Sequence, residues 1–226
     1  VYTKLAGGEL TSKQDEIIFL LADVRLPRIF AAMLVGAALS SSGAVYQGMF
    51  LNPLVSPGIL GVLAGASFGA ALGIVIFQSW AATQILAFAF AVIAVLVALV
   101  LAGAFPRSGI LVLVLGGMIS SSFFMALSSL LKYIADPTSQ LPELVYWLMG
   151  TFSRANMSMI YSIGPVIIMG CVILAFYGKV INAMSMGDDE ARALGVNVWK
   201  TRLFLIGVAT LISASTVVIA GTVQWV

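Results

Sequence analysis

The chain has 226 residues, of which 61% are hydrophobic, 9% are charged and none is histidine, and its formal net charge is +2. Its mean hydropathy of +1.11 lies far above that of soluble domains and predicts an integral membrane protein. The small net charge does not favour a nucleic-acid partner. One cysteine and no histidine argue against a zinc, copper or haem centre built by this chain, so no metal site or cofactor is expected.

The apolar runs are long and continuous, which favours membrane-spanning helices over the short alternating strands of an outer-membrane barrel. They predict an all-α, polytopic helix bundle with six spans, which form one membrane domain. In chain order the spans are residues 29–45, 58–77, 85–104, 110–131, 157–176 and 203–220. Residues 1–23 are polar and are interpreted as a surface segment. The predicted turns are residues 47–56, 78–84 and 105–109.

Two arginines, Arg25 and Arg28, stand at the start of the first span in the sequence Arg-Leu-Pro-Arg. Proline suits the first turn of a helix, and arginines at such a place usually extend to the membrane surface. If the six spans alternate in direction, lysine and arginine number six on one side and five on the other. The excess of positive charge that marks the cytoplasmic side therefore does not decide the orientation.

Four glycines recur at four-residue intervals in the second predicted span: Gly61, Gly65, Gly69 and Gly73. This spacing places them along one stripe of a helix. Small residues in a stripe let another helix approach closely, which is how membrane helices gain contact area. The pattern predicts tight helix packing and carries no information on a substrate.

The fourth predicted span is rich in glycine and serine, including Gly117, Ser120 and Ser121. Such residues fit either close packing or the lining of a weakly polar pathway, and the residues alone leave both open. Residues 132–156 then form a long loop with Tyr146 and Trp147, which suit a membrane interface. A short helix over residues 142–149 is expected to lie in that plane.

Residues 179–202 carry seven of the chain's twenty charged side chains between two apolar runs. Asp188, Asp189 and Glu190 favour a helix N-terminus, and Gly195 suits the left-handed position that ends a helix. Asn197 then suits the cap of the next helix. We therefore predict a two-turn helix over residues 188–194, held at the membrane surface by two spans. It is either a mechanical contact for a partner or an ordinary loop helix.

Several chemistries lack their sequence signatures. The chain contains no phosphate-binding GxxxxGK[ST] motif and no HExxH, so it is not expected to be an enzyme. No carboxylate falls near the middle of a predicted span, although ion-coupled carriers usually need ionisable groups there. A transporter that is powered from outside through a surface contact needs none.

Four ordered motifs resemble one family. The sequence RLPRIFAAMLVGAALSSSGAVYQGMFLNPLVSPGILGVLAGASFGAALGI, with YWLMGTF, GDDEARALGVNVWKTR and VIAGTVQWV after it, is similar to the permease subunits of type II ABC importers for iron-siderophores, haem and vitamin B12. The match covers nearly the whole chain. Members of that family are longer, with ten spans, so the resemblance implies that residues 1–226 are part of one permease domain without its first span and last three.

The resemblance also implies partners, orientation and site residues. A permease homodimer in the bacterial or archaeal inner membrane would bind two ABC ATPase subunits inside and one solute-binding protein outside. Residues 188–194 would form the coupling helix, whereas Arg25 and Arg28 would dock the binding protein. The span that contains Gly117, Ser120 and Ser121 would line the pathway. The residues implied for contact with the ATPase are Asp188, Asp189, Glu190, Arg192, Leu194 and Gly195.

The function that follows is import of a metal chelate or related cargo by alternating access, with ATP hydrolysis on the partner chains. The alternative is a stand-alone secondary carrier or channel that is driven by an ion gradient. A membrane scaffold that transports nothing is a third class, for which the loop motifs would serve only packing.

Overall fold

The computed structural model describes residues 12–104 and 109–223, and all regular secondary structure in these ranges is helical. A π-helical turn, Leu20–Arg25, joins α1 to α2, a 3₁₀ turn, Pro57–Leu60, precedes α3, and a second π-helical turn, Gly73–Phe77, follows it. The α-helices are α1 (Ser12–Phe19), α2 (Leu26–Phe50), α3 (Val62–Leu72), α4 (Trp80–Gly103), α5 (Gly109–Ile134), α6 (Gln140–Met149), α7 (Met157–Phe176), α8 (Gly178–Met184), α9 (Asp188–Ala193) and α10 (Val198–Ala220).

Four of the described helices are long and apolar enough to cross a membrane: α4, α5, α7 and α10. All four coincide with predicted spans. The helix α2 has 25 residues, and α3 with its π-helical turn forms a shorter apolar helix, Val62–Phe77. The all-helical prediction is confirmed, and six spans remain a prediction.

The two turns around the second predicted span are shorter than predicted. The helix α2 continues to Phe50 because Met49 and Phe50 are buried, and the chain leaves the helix at Leu51 with a φ of 51°. At the other turn, α4 already begins at Trp80. Residues 105–108 of the predicted turn and residues 1–11 of the predicted surface segment lie outside the described residues.

The helix α10 lies at the centre of the described bundle. It packs against α2 and α7 on one side and against α4 on the other, whereas α3, α4 and α5 pack on one another. About 67% of an apolar 18-residue stretch of α10 is buried inside the bundle, against 22–33% of the corresponding stretches in the other three long apolar helices. Buried hydroxyls join it to α2, since Ser213 donates to Ser42 over 3.1 Å. A displacement of α10 would therefore reach both halves of the bundle.

Glycines bring α3 and α4 into backbone contact. A Cβ at Gly65 would overlap the carbonyl oxygen of Phe90, and one at Gly69 would overlap that of Leu86. At Gly73 a Cβ would lie 2.6 Å from the Thr83 nitrogen. No larger residue fits these three places unless the two helices separate.

Gly61 has a different role from the other three glycines of the stripe. It precedes α3 with a φ of +91°, in the left-handed region that side chains rarely adopt. A Cβ there would lie 3.2 Å from the Ser121 hydroxyl on α5, so Gly61 faces α5 and not α4.

Different connecting segments lie at the two ends of the bundle. At one end the Thr151 nitrogen donates to the carbonyl of Ala220 over 2.7 Å, which brings the α6–α7 loop to the end of α10. At the other end α8 lies against α2, where a Cβ at Gly48 would be 3.0 Å from the Ile181 side chain. The residues predicted for docking and for coupling therefore lie at opposite ends.

Candidate functional site

The helix α9 is bounded by two glycines with positive φ. Gly187 precedes it with a φ of 124°, and Gly195 follows it with a φ of 83°. The nitrogen of Val196 donates to the Ala191 carbonyl over 3.0 Å, and that of Gly195 donates to Arg192 over 2.9 Å. These two bonds form a Schellman motif. The predicted helix stop at Gly195 is confirmed, although α9 ends at Ala193, one residue before the predicted boundary.

The next helix begins as predicted. The Asn197 side chain accepts a hydrogen bond of 3.1 Å from the Lys200 nitrogen, which satisfies one of the free donors in the first turn of α10. Only Val196 and Asn197 separate the helix stop at Gly195 from α10. Because this connection is short and capped, the orientation of α9 depends directly on that of α10.

An ion pair fixes α9 to the first turns of α10. Arg202 Nη2 lies 2.6 Å from Asp188 Oδ1, and the Arg202 side chain is only 6% exposed. The Asp188 side chain is 28% exposed. The resemblance implies Asp188 as a contact for the ATPase, which stays a prediction, and in the structure its carboxylate pairs with Arg202. Asp188 therefore positions α9 on the central helix.

The outer face of α9 stays accessible. Asp189 is 93% exposed and pairs with Arg192 over 2.7 Å, and Glu190 is also exposed. Leu194 is 65% exposed beside these charges. Ala191, in contrast, is fully buried beneath the helix. The helix α9, which is fixed to α10 on its buried side, therefore exposes charged groups and one large apolar side chain to a partner.

Two further exposed apolar side chains flank α9 in the chain. Met186 is 65% exposed and Trp199 is 47% exposed, although both lie among charged residues. Large side chains of this kind, rimmed by charges, are typical of a protein-binding surface. After the coupling role that the sequence predicts here, we give the name coupling surface to the exposed side chains of Met186, Asp189, Glu190, Arg192, Leu194 and Trp199.

Sequence reasoning missed two residues of this site. In the sequence, Arg202 counts only as one of the seven charged residues between positions 179 and 202. Its spacing from Val198 and Leu205, however, places all three on one buried helix face. An arginine on that face requires an acidic partner, and this signal was available. Gly187 was not singled out. The Glu190 carboxylate occupies the place where a Gly187 side chain would lie.

The two arginines predicted for docking lie at the opposite end, and both are exposed. Arg25 ends the π-helical turn before α2. Arg28, in the first turn of α2, donates to the Ser153 carbonyl over 3.4 Å. Neither forms an ion pair with an acidic residue of the described chain, so their charges are available to a partner.

The loop beside Arg28 is held by polar contacts. The Arg154 guanidinium lies 4.3 Å above the Trp80 ring and 3.9 Å from the Glu143 carboxylate. The Tyr146 hydroxyl lies 2.8 Å from that of Ser153, and this hydrogen bond lowers the pKa of Tyr146. These contacts give this end of the bundle a defined shape.

Asp136 begins the same loop. Its Oδ1 accepts hydrogen bonds of 2.7 to 2.9 Å from the hydroxyls and nitrogens of Thr138 and Ser139. These bonds lower the pKa of Asp136 to about 2. The carboxylate is therefore charged at neutral pH, and its Oδ1 is already engaged by its own turn.

The three residues predicted to line a pathway occupy different surroundings. Ser120 is fully buried and donates to the Ala94 carbonyl over 2.7 Å. Gly117 lies against the Ile59 carbonyl, with no room for a Cβ. Ser121 lines a cavity of about 410 Å³ between α3, α5 and α6. In the single chain the geometry favours packing for Gly117 and Ser120, and only Ser121 faces open space.

The FecCD transport family matches residues 3–226. This chain belongs to the FecCD transport family. It is 37% identical over its whole length to the molybdate import system permease protein MolB of Haemophilus influenzae, of which it covers 66%. It is 35% identical over 98% of its length to a probable iron chelatin transport system permease protein of Helicobacter pylori, again with 66% of that protein covered. The chain thus spans about two thirds of the length of these relatives.

A solved structure extends the likeness to the fold. A metal-chelate-type ABC transporter in an inward-facing conformation superposes with a TM-score of 0.85 at 37% identity, over 96% of this chain and 68% of that chain. The structure of PsaBC from Streptococcus pneumoniae with a Fab gives a TM-score of 0.58 at 17% identity, over 86% of this chain and 68% of that one. The latter shows similarity of fold alone.

Proposed function

We propose that this chain is part of the permease subunit of an ATP-driven importer. It moves a metal chelate, such as an iron-siderophore, haem or a cobalamin, or a related cargo inward across the inner membrane. The subunit crosses the membrane six times within this sequence and ten times in all. It forms a homodimer that binds two ABC ATPase subunits inside and a solute-binding protein outside, and ATP hydrolysis takes place on the ATPase chains.

The observation that carries the proposal is the base of α9. A two-turn helix in a loop that moves independently would transmit little motion to the bundle. The ion pair between Asp188 and Arg202 instead fixes α9 to α10, the most buried of the four long apolar helices. A partner that pushes on the coupling surface moves α10, and α10 packs against α2, α4 and α7. Alternating access requires this kind of connection between a surface contact and the whole bundle.

Co-purification tests the proposal directly. The full-length tagged subunit is extracted from native membranes in mild detergent, and the accompanying chains are identified by mass spectrometry. We expect a stoichiometric ATPase that is lost when Glu190 and Leu194 are both replaced by alanine. A homo-oligomer without ATPase, under conditions that preserve a known ABC complex, would instead favour the stand-alone carrier. ATP-independent uptake along an ion gradient would support that alternative further.

Gly195→Val should uncouple the permease from its ATPase. The φ of 83° at Gly195 is strongly unfavourable for a β-branched residue, so the turn between α9 and α10 must rearrange. We expect membrane insertion to persist and ATP-dependent transport to fall at least about ten-fold. The matched control is Ala193→Val on the exposed end of α9, which should keep most of the activity. Equal transport in the two variants would contradict the proposed role of Gly195.

Reversing the charges of Arg25 and Arg28 should weaken docking of the binding protein. Arg25→Glu with Arg28→Glu removes two exposed positive charges and adds two negative ones. Rim charges mainly guide association, so we expect a lower association rate at low salt and a difference that shrinks as salt rises. Surface plasmon resonance with the purified binding protein measures both. The control is Lys179→Glu at the opposite end, which should leave docking unchanged, and an unaltered rate in the double variant would argue against this surface.

A further inference from the structure

A cavity of about 410 Å³ opens between α3, α5 and α6, at the end of the bundle that carries the predicted docking residues. Its wall contains five hydroxyl side chains and one ionisable one. Lys132 is the only charged residue among those that line it in the described chain. The polar lining consists of Ser67, Ser121, Ser128, Ser129, Thr222 and Lys132.

Lys132 lies in the last turn of α5 and is exposed. It forms no ion pair with a described acidic residue. Asp136, the nearest acidic residue in sequence, keeps its charge while it accepts hydrogen bonds from its own turn, but it does not line the cavity. Glu143 pairs with Arg154. The ammonium therefore places a positive charge at the cavity without a paired carboxylate.

The hydroxyls of the cavity do not compete with that charge. Ser128 and Ser129 donate to the carbonyls of Phe124 and Met125, over 2.8 and 3.0 Å, and Ser67 donates to the Leu63 carbonyl over 2.7 Å. Their donors are used within their own helices. The cavity thus offers one strong electrostatic contact and few free hydrogen-bond donors, so it attracts an anion without binding it tightly.

We infer that the cargo crosses as an anion and that Lys132 is a specificity-determining residue at the outer mouth of the pathway. The inference rests on the proposed function and narrows its cargo to one chemical class, a negatively charged oxyanion or metal chelate. A compact ammonium suits both, because it acts as a point charge and does not require a planar, bidentate partner. An uncharged cargo gains nothing from it.

Uptake by the complete importer in proteoliposomes tests the inference with molybdate, haemin and uncharged cyanocobalamin as probes. For whichever anion is transported, Lys132→Gln should raise KM at least about five-fold and change kcat less than two-fold, and Lys132→Arg should restore KM. Added salt should weaken the wild-type uptake and not that of Lys132→Gln. A lysine that only balances the dipole of α5 would give none of these dependences on cargo charge.

Two outcomes would overturn the inference. One is an unchanged KM for the transported anion in Lys132→Gln, and the other is ATP-dependent uptake of cyanocobalamin in preference to both anions. In either case the permease function would stand, because ATP would still drive uptake. Uptake that is independent of ATP would instead overturn the proposed function and leave the effect of Lys132 on KM to be assessed separately.

A second measurement needs no transport. In a Cys171→Ser background, Ser129→Cys places one thiol in the cavity, and its rates of reaction with anionic and cationic methanethiosulfonates are compared. Adding Lys132→Gln should lower the ratio of anionic to cationic rate several-fold, whereas Lys179→Gln at the opposite end should not change it. An unchanged ratio in the Lys132→Gln variant would show that this lysine does not set the potential of the cavity, and the inference would fail.

Discussion

Asp188→Asn should abolish stable association with the ATPase although the substitution removes no exposed charge of the coupling surface. It leaves Arg202, whose side chain is 6% exposed, without a full countercharge. An uncompensated buried charge is strongly destabilising, and because Asp188 is 28% exposed we expect a smaller cost, on the order of 2 kcal/mol. The lost stability is local to the contact between α9 and α10, so we expect α9 to detach from α10 before the bundle unfolds.

The measurements are the amount of co-purified ATPase and the thermal midpoint of the subunit in detergent. We expect the first to fall at least ten-fold and the second to change by a few degrees. Glu143→Gln is the matched control, because it neutralises one partner of an ion pair at the opposite end of the bundle, where the Glu143 side chain is 48% exposed, and an exposed pair contributes little. A double variant, Asp188→Leu with Arg202→Met, removes both charges and should recover the thermal midpoint.

Recovery of the midpoint in the double variant separates folding from coupling. If the ion pair only stabilised the bundle, ATPase binding would return together with stability. We expect binding to return only in part, because apolar contacts do not fix the orientation of α9 as a hydrogen-bonded pair does. An Asp188→Asn variant that binds the ATPase as well as Glu143→Gln does would refute the positioning role of Asp188.

Gly69→Ala should destabilise the subunit, whereas the same methyl addition at a glycine with open space around it should not. The new Cβ would overlap the Leu86 carbonyl and lie 2.8 Å from the Ala87 nitrogen. These are backbone atoms, so α3 and α4 must separate. Such overpacking costs about 1–3 kcal/mol, which corresponds to a fall of roughly 5 °C in Tm for a domain of this size.

Two glycines provide controls of the same chemistry. Gly36 in α2 and Gly207 in α10 have nothing within 4 Å of an added Cβ. Alanine also has the higher helix propensity, so Gly36→Ala and Gly207→Ala should leave Tm unchanged or raise it. Thermal unfolding of the purified variants by intrinsic fluorescence gives the comparison. Three equal Tm values would mean that the α3–α4 contact is not tight.

The sequence by itself determined the class of structure, because long apolar runs can satisfy their backbone groups in a membrane only as helices. It also determined the local geometry around α9. Gly195 and Asn197 act through their own backbone and side chain on residues nearby in the chain, and such short-range chemistry is readable without a fold.

The tertiary structure decided which residues share a site. The pairing of Asp188 with Arg202 joins residues fourteen positions apart in different helices. The division of the glycines between α4 and α5 depends on which helices become neighbours. The opening of Ser121 to a cavity, with Ser120 one residue earlier buried, depends on the rotation of α5 about its axis. These three properties arise from contacts between distant segments, and helix periodicity constrains the faces of each helix without choosing their partners.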